Sequence, residues 1–253
     1  MDDRLAAWMA ALEARHLAEL TFSEVSRALR ALSSAYVERR AKLAQGAALD
    51  GAGKRAAFAL FYGPLHYLLL RHIVSALPGA TSGMDTLVDL GCGTGASGVA
   101  WASACVKPPR IVGIDRHPWA VQEAAATYHA FGLSALGATS RQGDVATAKL
   151  PRPASILAAF ALNELADASR DALLTRLVER ATLSAGGDRV LIVEPIAGFV
   201  ARWWDTWRQA IEKAGGRADE WRVRVELPPI VVKLDKAAGL NHRELTGRSL
   251  YIS

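Results

Sequence analysis

Cysteine is scarce in this chain: only Cys92 and Cys105 occur among 253 residues. Two thiols are too few for a metal cluster or a disulfide framework, so we expect no bound metal and a reducing compartment, the cytoplasm. The amino-terminal segment begins acidic at Met1-Asp2-Asp3 and no apolar core follows, so we also expect no signal peptide.

A long uncharged apolar run is also missing. The most apolar helical stretch, residues 56–77, is interrupted by a proline, two histidines and an arginine. This composition predicts a buried helix that bends or ends at Pro64, and we expect no association with a membrane.

The charge of the chain has only a weak bias. Thirty Lys and Arg residues face 25 Asp and Glu residues, which gives a net charge of +5. The basic residues are densest at Arg39-Arg40-Ala41-Lys42 and at Lys54-Arg55, where they form either a solvated helix face or an edge that contacts phosphates. The balance therefore permits an anionic partner such as RNA without requiring one.

Helical and strand patterns divide the chain into two parts. Residues 1–46 are rich in Ala, Leu, Glu and Arg at helical spacing, and strands alternate with helices from Thr86 onward. We predict strands at Thr86–Leu90, Arg110–Asp115, Thr139–Gln142, Ser155–Phe160, Arg189–Glu194, Arg222–Leu227 and Ser249–Ile252. We predict helices between them at Ala96–Cys105, Pro118–Phe131, Ala168–Leu183, Phe199–Ala214 and Ile230–Ala238. This pattern predicts an N-terminal helical appendage over residues 1–80 and an α/β domain with a mostly parallel sheet over residues 81–253.

A glycine-rich turn follows the first predicted strand. Residues 87–98 read Leu-Val-Asp-Leu-Gly-Cys-Gly-Thr-Gly-Ala-Ser-Gly, and residues 111–115 read Ile-Val-Gly-Ile-Asp. Gly91, Gly93 and Gly95 allow a tight turn and a close approach of the backbone to a ligand. Asp115 lies 115 − 95 = 20 residues after Gly95, where nucleotide-binding β-α-β units carry the acid that binds ribose hydroxyls.

The identity of the nucleotide depends on Asp89. A pyrophosphate would be repelled by a carboxylate two residues before the first glycine, which argues against a nicotinamide dinucleotide. S-adenosylmethionine carries an ammonium and a sulfonium instead of phosphates, and Asp89 suits both cations. Residues 93–98 do match the GxGxxG pattern, so a dinucleotide site and a purely structural turn stay as alternatives.

The segment Val-Asp-Leu-Gly-Cys-Gly-Thr-Gly, followed by Gly-Ile-Asp, resembles the first two motifs of class I S-adenosylmethionine-dependent methyltransferases. The resemblance implies a Rossmann-like fold with a seven-stranded sheet whose last pair is antiparallel, and S-adenosylmethionine as cofactor. It also implies that the methionine part is held by the first motif, that Asp115 binds the ribose, and that Arg116 lies beside the adenine. Asp144 in Gly143-Asp144-Val145 either accepts from the adenine amino group or caps a turn. The cofactor site predicted in this way comprises Asp89, Gly91, Gly93, Gly95, Asp115, Arg116, Asp144, Val145 and Phe160.

Catalytic residues are expected near the end of the fourth strand. Methyl transfer mostly requires alignment of the acceptor and, for some acceptors, removal of a proton. Asn163 and Glu164 either orient the acceptor and take up its proton, or begin the next helix as cap and first-turn residues. Tyr62 and His66 precede the α/β domain in a region that covers the cofactor in many enzymes of this class, and His66 is either a base or a core residue. The Asn-Pro-Pro-aromatic sequence typical of many amino-directed nucleic-acid methyltransferases is missing, which lowers the expectation of a base amine as acceptor.

A narrower resemblance covers residues 55–200. Residues 56–77, 158–167 and 190–195 are similar to segments of the methyltransferase-like family associated with the mitochondrial small ribosomal subunit and its bacterial relatives. That family typically has further cysteines that bind an iron–sulfur cluster or a metal, and this chain has none at suitable positions. From this resemblance and the basic net charge we hypothesise a methyltransferase acting on RNA, with ribosomal RNA as one option. The alternatives are a small-molecule methyltransferase and a non-catalytic assembly factor, and the oligomeric state stays open.

Overall fold

The computed structural model describes residues 3–38, 49–182, 188–196 and 203–253. The basic cluster at 39–42 therefore lies outside the described residues. Within the described part of the chain, five helical segments precede the first strand: α1 (Asp3–His16), α2 (Phe22–Glu38), α3 (Ala52–Ala57), a π-helical turn (Phe58–Tyr62) and α4 (Gly63–Ala76).

The first two helices are amphipathic, and both bury their apolar faces. In α1, Leu5, Trp8, Met9 and Leu12 are buried. Helix α2 begins with a capping box, in which the backbone N–H of Thr21 donates to Glu24 Oε2 at 2.8 Å and the N–H of Glu24 donates to Thr21 Oγ1 at 3.3 Å. The sequence spacing that predicts amphipathic helices here is confirmed.

The helical stretch around Pro64 does not end at this proline, as the sequence had allowed. The chain continues from α3 through the π-helical turn into α4 without leaving helical geometry, and Pro64 occupies the first turn of α4. A proline is tolerated there because its missing N–H needs no partner at the start of a helix. The π-helical turn before Pro64 is wider than an α-helical turn and accommodates the change in hydrogen bonding, so the helical stretch stays continuous.

From Thr86 onward the chain forms one seven-stranded sheet. Its strands are β1 (Thr86–Leu90), β2 (Arg110–Asp115), β3 (Thr139–Gln142), β4 (Ser155–Ala159), β5 (Arg189–Glu194), β6 (Arg217–Val223) and β7 (Leu245–Ile252). The strand order is β3-β2-β1-β4-β5-β7-β6, and the first five strands are parallel. Strand β7 runs antiparallel to both β5 and β6. The expected Rossmann-like α/β fold is confirmed.

Helices cover both faces of this sheet. They are α5 (Ala96–Ala104), α6 (Pro118–Ala130), α7 (Asp167–Thr182), α8 (Trp204–Lys213) and α9 (Pro229–Ala238). The N-terminal helices share one hydrophobic cluster with α5, α6 and α9, whereas α7 and α8 cover the opposite face. The order of the strands reverses between β1 and β4, and the crevice at their carboxyl ends is where such sheets bind ligands.

Two strand predictions near the C-terminus were wrong in their bounds. The strand expected at Arg222–Leu227 is β6, Arg217–Val223, and the one expected at Ser249–Ile252 starts earlier, at Leu245. Strand β6 lies at the sheet edge, where charged side chains alternate along a largely solvated strand and hide the apolar pattern. Only pairing with β7, from Arg217 opposite Tyr251 to Val223 opposite Leu245, defines its register.

The helix predicted over Phe199–Ala214 is observed as α8. Its first part, including Phe199, lies outside the described residues, while Trp207 and Ile211 are fully buried and pack in the hydrophobic cluster on the α7 side of the sheet. Among the described residues, no helix is both long and apolar enough to cross a membrane.

Candidate functional site

The glycine-rich turn connects β1 to α5 at the carboxyl edge of the sheet. Gly91, Gly93 and Gly95 all adopt positive φ values, of 71°, 52° and 76°. The backbone N–H groups of Gly91 and Cys92 both donate to the carbonyl of Ile114, which anchors the turn to β2. A Cβ atom on Gly91 would lie 2.4 Å from the Cβ atom of Ala161, so glycine is required where the turn meets the end of β4.

A cavity of about 220 Å³ opens beside this turn. Its walls come from three regions of the chain: the helices before β1, the turn with the end of β2, and the ends of β4 and β5. The lining residues are Leu49, Phe58, Tyr62, His66, Gly91, Cys92, Gly93, Thr94, Ala96, Ser97, Asp115, Arg116, His117, Ala159, Phe160, Ala161, Asn163, Glu164, Glu194 and Pro195. All four predicted catalytic residues and five of the nine predicted cofactor residues line it.

Asp115 ends β2 at the wall of the cavity. Its Oδ2 atom accepts from the N–H of Gly93 at 3.0 Å, and its Oδ1 atom accepts from the N–H of His117 at 2.8 Å. Each carboxylate oxygen has two lone pairs, so both can still accept from ribose hydroxyls. Asp115 thus ties the glycine turn to β2 while it keeps acceptor capacity for a ligand.

Asp89 lies behind the glycine turn and does not line the cavity. It is 1% exposed, its Oδ2 atom accepts from the N–H of Gly98 at 3.0 Å, and its Oδ1 atom is buried with no partner among the described residues. Burial raises the pKa of Asp89 to about 7, and the charge of Asp115 adds to this rise. A buried carboxylate with an unused oxygen is stabilised by a nearby cation, which fits a cofactor that carries an ammonium and a sulfonium.

Asn163 is held between two fixed partners at the end of β4. Its Nδ2 atom donates to Glu194 Oε2 at 2.5 Å, and its Oδ1 atom accepts from Trp203 Nε1 at 3.1 Å. A carboxylate accepts only and an indole N–H donates only, so these partners determine which way the amide faces. Glu194 is fully buried and also accepts from the N–H of Leu162, which fixes the short 3₁₀ turn Leu162–Glu164. Asn163 does not act as a helix cap, because its side chain is directed to β5 and Trp203.

Glu164 faces Arg116 across the mouth of the cavity. Arg116 Nη2 donates to Glu164 Oε2 at 2.8 Å. Burial raises the pKa of Glu164 to about 7; the charge and hydrogen bond of Arg116 oppose the rise, and the charge of Asp115 favours it. Glu164 therefore changes its protonation state near neutral pH at the edge of the cavity.

Four rings line one part of the cavity wall. The rings of His66 and Phe160 are stacked, with centroids 3.9 Å apart and planes inclined by 15°. Phe58 and Tyr62 lie beside them, each with its centroid 6.2 Å from that of His66. Phe160 has a positive φ of 59°, an unusual conformation for a residue other than glycine. This backbone conformation directs the end of β4 toward the helices, where its ring meets His66.

The two polar groups of this wall, Tyr62 and His66, are both half-buried. Burial lowers the pKa of His66 to about 3, so its imidazole is neutral at physiological pH. Burial also raises the pKa of Tyr62, which keeps its hydroxyl protonated. The wall therefore presents neutral rings to the cavity.

The remaining predicted cofactor residues lie away from the cavity wall. Gly95 forms the left-handed start of α5, and a Cβ atom there would lie 2.8 Å from the ring of Tyr128. Asp144 is exposed, and its Oδ1 atom accepts from the N–H groups of Ala146 at 2.7 Å and Thr147 at 3.2 Å. This is the geometry of the turn-capping alternative, and contact of Asp144 or Val145 with adenine stays a prediction.

Sequence patterns gave no signal for two cavity residues. Phe58 enters the site because the π-helical turn places it near Gly93, where a Cβ atom would lie 3.5 Å from its ring. Leu49 reaches the wall from the short segment before α3. Neither residue belongs to a motif, so only the packing of the helices against the sheet reveals them.

Comparisons with known proteins agree with this geometry. Residues 87–187 match the family model described as a methyltransferase domain. No curated protein sequence matches the chain.

Several solved structures share the fold. The mitomycin 7-O-methyltransferase MmcR has 18% identity and a TM-score of 0.53, and the match covers 96% of this chain and 71% of that protein. The magnesium protoporphyrin IX methyltransferase ChlM from Synechocystis, solved with bound S-adenosylmethionine, has 14% identity and a TM-score of 0.46 over 75% of this chain and 80% of the other. An S-adenosylmethionine-dependent methyltransferase from Aquifex aeolicus has 18% identity and a TM-score of 0.43 over 72% and 89%.

The sequence of the glycine turn, the strand order and the family match point to one activity. Residues 87–187 are similar to a methyltransferase domain, and the buried Asp89 and the close approach at Gly91 fit the S-adenosylmethionine that the first two motifs predict.

Proposed function

We propose that the chain is an S-adenosylmethionine-dependent methyltransferase and that it methylates a small molecule with a planar, uncharged ring. The observation that carries this proposal is the wall of neutral rings formed by Phe58, Tyr62, His66 and Phe160 in the cavity beside the glycine turn. Flat apolar walls of this kind stabilise aromatic ligands by stacking and by burial of apolar surface.

The charges at the cavity favour a small molecule over a polyanion. Among the described residues, Asp115, Glu164 and Glu194 line it together with one fixed cation, Arg116, which is paired with Glu164. Three carboxyl groups near the acceptor repel phosphates, because like charges in a partly desolvated site interact strongly. An uncharged or cationic ring avoids this repulsion.

The residues at the end of β4 have the properties that a methyl acceptor requires. S-adenosylmethionine supplies the methyl group from its sulfonium. Asn163, fixed by Glu194 and Trp203, offers its second amide hydrogen and a carbonyl lone pair to orient a hydroxyl or amine. Glu164 has a raised pKa near the operating pH, which suits a group that takes up the proton of the acceptor.

Tyr62 and His66 position the acceptor ring in this proposal. His66 has a strongly lowered pKa and therefore does not serve as a base at neutral pH. Its stacking on Phe160 instead fixes the plane against which the acceptor lies. The helical region 1–80 closes the acceptor side of the site, and the α/β domain 81–253 holds the cofactor.

RNA is the second candidate acceptor. A flipped base is also a planar neutral ring, so the same wall accepts it if the backbone stays outside the cavity. A cleft elsewhere on the molecule, lined by Lys149, Arg152, Arg176 and Arg180, favours this alternative. The resemblance to the ribosome-associated family points in the same direction.

The test is transfer of labelled methyl groups from S-adenosylmethionine to fractionated cell extract. We expect labelled product in the small-molecule fraction, and label in total RNA would instead identify the second candidate. With the product in hand, Glu164→Gln should lower kcat and remove the ionisation near pH 7 from the pH profile, whereas Glu19→Gln on the surface should change neither. An unchanged pH profile in Glu164→Gln would contradict the proton-acceptor role.

A further inference from the structure

A second cavity lies at the opposite end of β4 from the cofactor site. It has a volume of about 470 Å³ and lies between residues 147–152, which lead into β4, and the second half of α7. Four basic residues line it: Lys149, Arg152, Arg176 and Arg180. We call these four residues the basic cleft; Glu179 is the acidic residue that lines the same cavity in the described part of the chain.

Two of the arginines hold the walls of the cleft together. Arg180 is buried, forms an ion pair with Asp188 at 2.6 Å, and donates to the carbonyls of Leu150 at 3.3 Å and of Pro151. Arg176 Nη1 donates to the carbonyl of Ala148 at 3.2 Å. These contacts fix the segment before β4 against α7, so the cleft is rigidly built.

The cleft has more positive charge than its described neighbours neutralise. Lys149 and Arg152 are exposed, and neither side chain has an ion pair with any described residue within 4.0 Å. The Nε and Nη2 atoms of Arg176 are buried and have no hydrogen-bond acceptor among the described residues. Arg176 therefore has donor capacity that the protein leaves unused, although a change in its side-chain torsions is needed to present these atoms to a ligand.

The cationic groups also repel one another. Burial lowers the pKa of Arg180, the charge of Asp188 raises it, and the charges of Arg152 and Arg176 lower it further. Burial also lowers the pKa of Arg176. Groups that destabilise each other in this way are stabilised together when an anion binds between them.

We propose that the basic cleft is a binding site for a phosphate group. Guanidinium groups offer forked donors that match phosphate oxygens, and Lys149 adds a mobile point charge. The phosphate comes either from the backbone of an RNA strand or from a small phosphorylated molecule.

The cleft is separate from the methyl-transfer site. Residues 147–152 precede the amino end of β4, whereas Asn163 and Glu164 follow its carboxyl end. The five residues of β4 span about 16 Å, so one phosphate cannot occupy both sites. An RNA strand of several nucleotides can nevertheless reach from one site to the other.

The test uses the full chain with Lys149→Gln and Arg152→Gln combined. Both side chains are exposed, so the variant should keep the far-UV circular dichroism, the Tm and the S-adenosylmethionine affinity of the parent protein. Lys233→Gln combined with Lys236→Gln, two exposed lysines on α9, removes the same charge elsewhere. The probes are a fluorescein-labelled 20-nucleotide RNA, followed by anisotropy, and inorganic pyrophosphate, followed by calorimetry.

We expect the cleft variant to bind at least one probe about 5–10-fold more weakly than the parent, and the α9 variant to bind like the parent. If RNA is the source, the slope of log K against log salt should fall by about 1.4, because two phosphate contacts are lost. If a small molecule is the source, pyrophosphate binding alone should weaken. Equal binding by the two variants, or no binding of either probe by the parent, would overturn the proposal. Because these are binding measurements, their outcome is independent of which acceptor is methylated.

Discussion

Asp89 and Asp115, two carboxylates of the nucleotide-binding motifs, differ in role because they differ in burial. Asp89 and Asp115 lie on adjacent strands, and both accept hydrogen bonds from backbone N–H groups of the first motif. Asp115 stays in contact with the cavity, whereas Asp89 is buried behind it and has a pKa raised to about 7. The motif therefore contains one acceptor for the ligand and one group whose ionisation depends on the ligand.

Binding of S-adenosylmethionine should release a proton from Asp89. Burial holds Asp89 partly protonated below pH 7 without the cofactor, and a bound cation nearby lowers its pKa. Calorimetry at pH 6 in buffers of different ionisation enthalpy should therefore detect proton release, and Asp89→Asn should remove it. Glu164→Gln serves as the control for the other raised pKa, and equal proton release by wild type and Asp89→Asn would contradict the assignment.

Asp89 should also make the stability of the cofactor-free protein depend on pH. The folded state binds a proton on Asp89 more tightly than the unfolded state does, so the free energy of unfolding falls as pH rises from about 4 to about 7. Asp89→Asn should flatten this dependence in urea denaturation at several pH values. A fall of the same size in the variant would show that other groups cause it.

Asp115→Ala should weaken S-adenosylmethionine binding by about 1–3 kcal/mol, the cost of losing hydrogen bonds to a charged group. The variant also loses the contact to the N–H of Gly93, so part of this effect reflects a less ordered glycine turn. Calorimetry gives the affinity. Asp115→Asn, which keeps one acceptor oxygen, should have an affinity between those of the wild type and of Asp115→Ala. An unchanged affinity in a folded Asp115→Ala protein would rule out the ribose role.

At the scale of elements, the site depends on how closely two turns approach. The glycine turn after β1 meets Ala161 after β4, and the π-helical turn brings Phe58 over the same backbone. The strands fix where each turn begins, but the separation between the turns depends on the absence of side chains at the glycines.

Gly91→Ala and Gly132→Ala separate backbone strain from steric overlap. The two glycines have nearly equal φ values, of 71° and 72°, but a Cβ atom on Gly132 meets nothing within 4 Å, whereas one on Gly91 overlaps Ala161. Gly132→Ala should cost about 1–2 kcal/mol from strain alone. Gly91→Ala should cost about 1–3 kcal/mol more and abolish cofactor binding. Urea denaturation and calorimetry measure both effects, and equal costs would show that the turn relaxes away from β4.

At the scale of the whole molecule, the N-terminal helices and the sheet share one hydrophobic cluster. Trp8 of α1 is 1% exposed, packs against Tyr67 and Phe131, and donates from Nε1 to Thr127 Oγ1 of α6 at 3.3 Å. The region 1–80 is distinct in sequence pattern, yet its side chains complete the core beside the cofactor domain.

Trp8→Ala should therefore destabilise the entire protein by about 3–5 kcal/mol, the usual cost of a large cavity in a core. Unfolding followed by circular dichroism and by loss of S-adenosylmethionine binding should give the same midpoint. Phe22→Ala on α2 is the matched control, because Phe22 is 38% exposed and its removal should cost little. Two separate transitions would instead favour an independent appendage.

Local patterns in the sequence were enough to predict several strands of the sheet. Strands β1, β2 and β5 have the bounds that their apolar runs predict, because buried parallel strands flanked by glycine or polar turns leave a strong local signal. Strand β3 also has its predicted bounds, although it is polar and mostly exposed. The prediction of the cofactor also rests on local residues, since the spacing to Asp115 indicates a nucleotide and the charge of Asp89 favours S-adenosylmethionine, both without reference to packing.

Tertiary structure decided everything that depends on distance between segments. The register of β6 comes from pairing with β7, the orientation of Asn163 comes from Glu194 and Trp203, and the ring wall comes from helices before β1 meeting the end of β4. The protonation of Glu164 and His66 likewise follows from burial and neighbouring charge, which residue type does not encode. Hydrogen-bond geometry and desolvation act between residues far apart in the chain, so only their spatial arrangement could assign those roles.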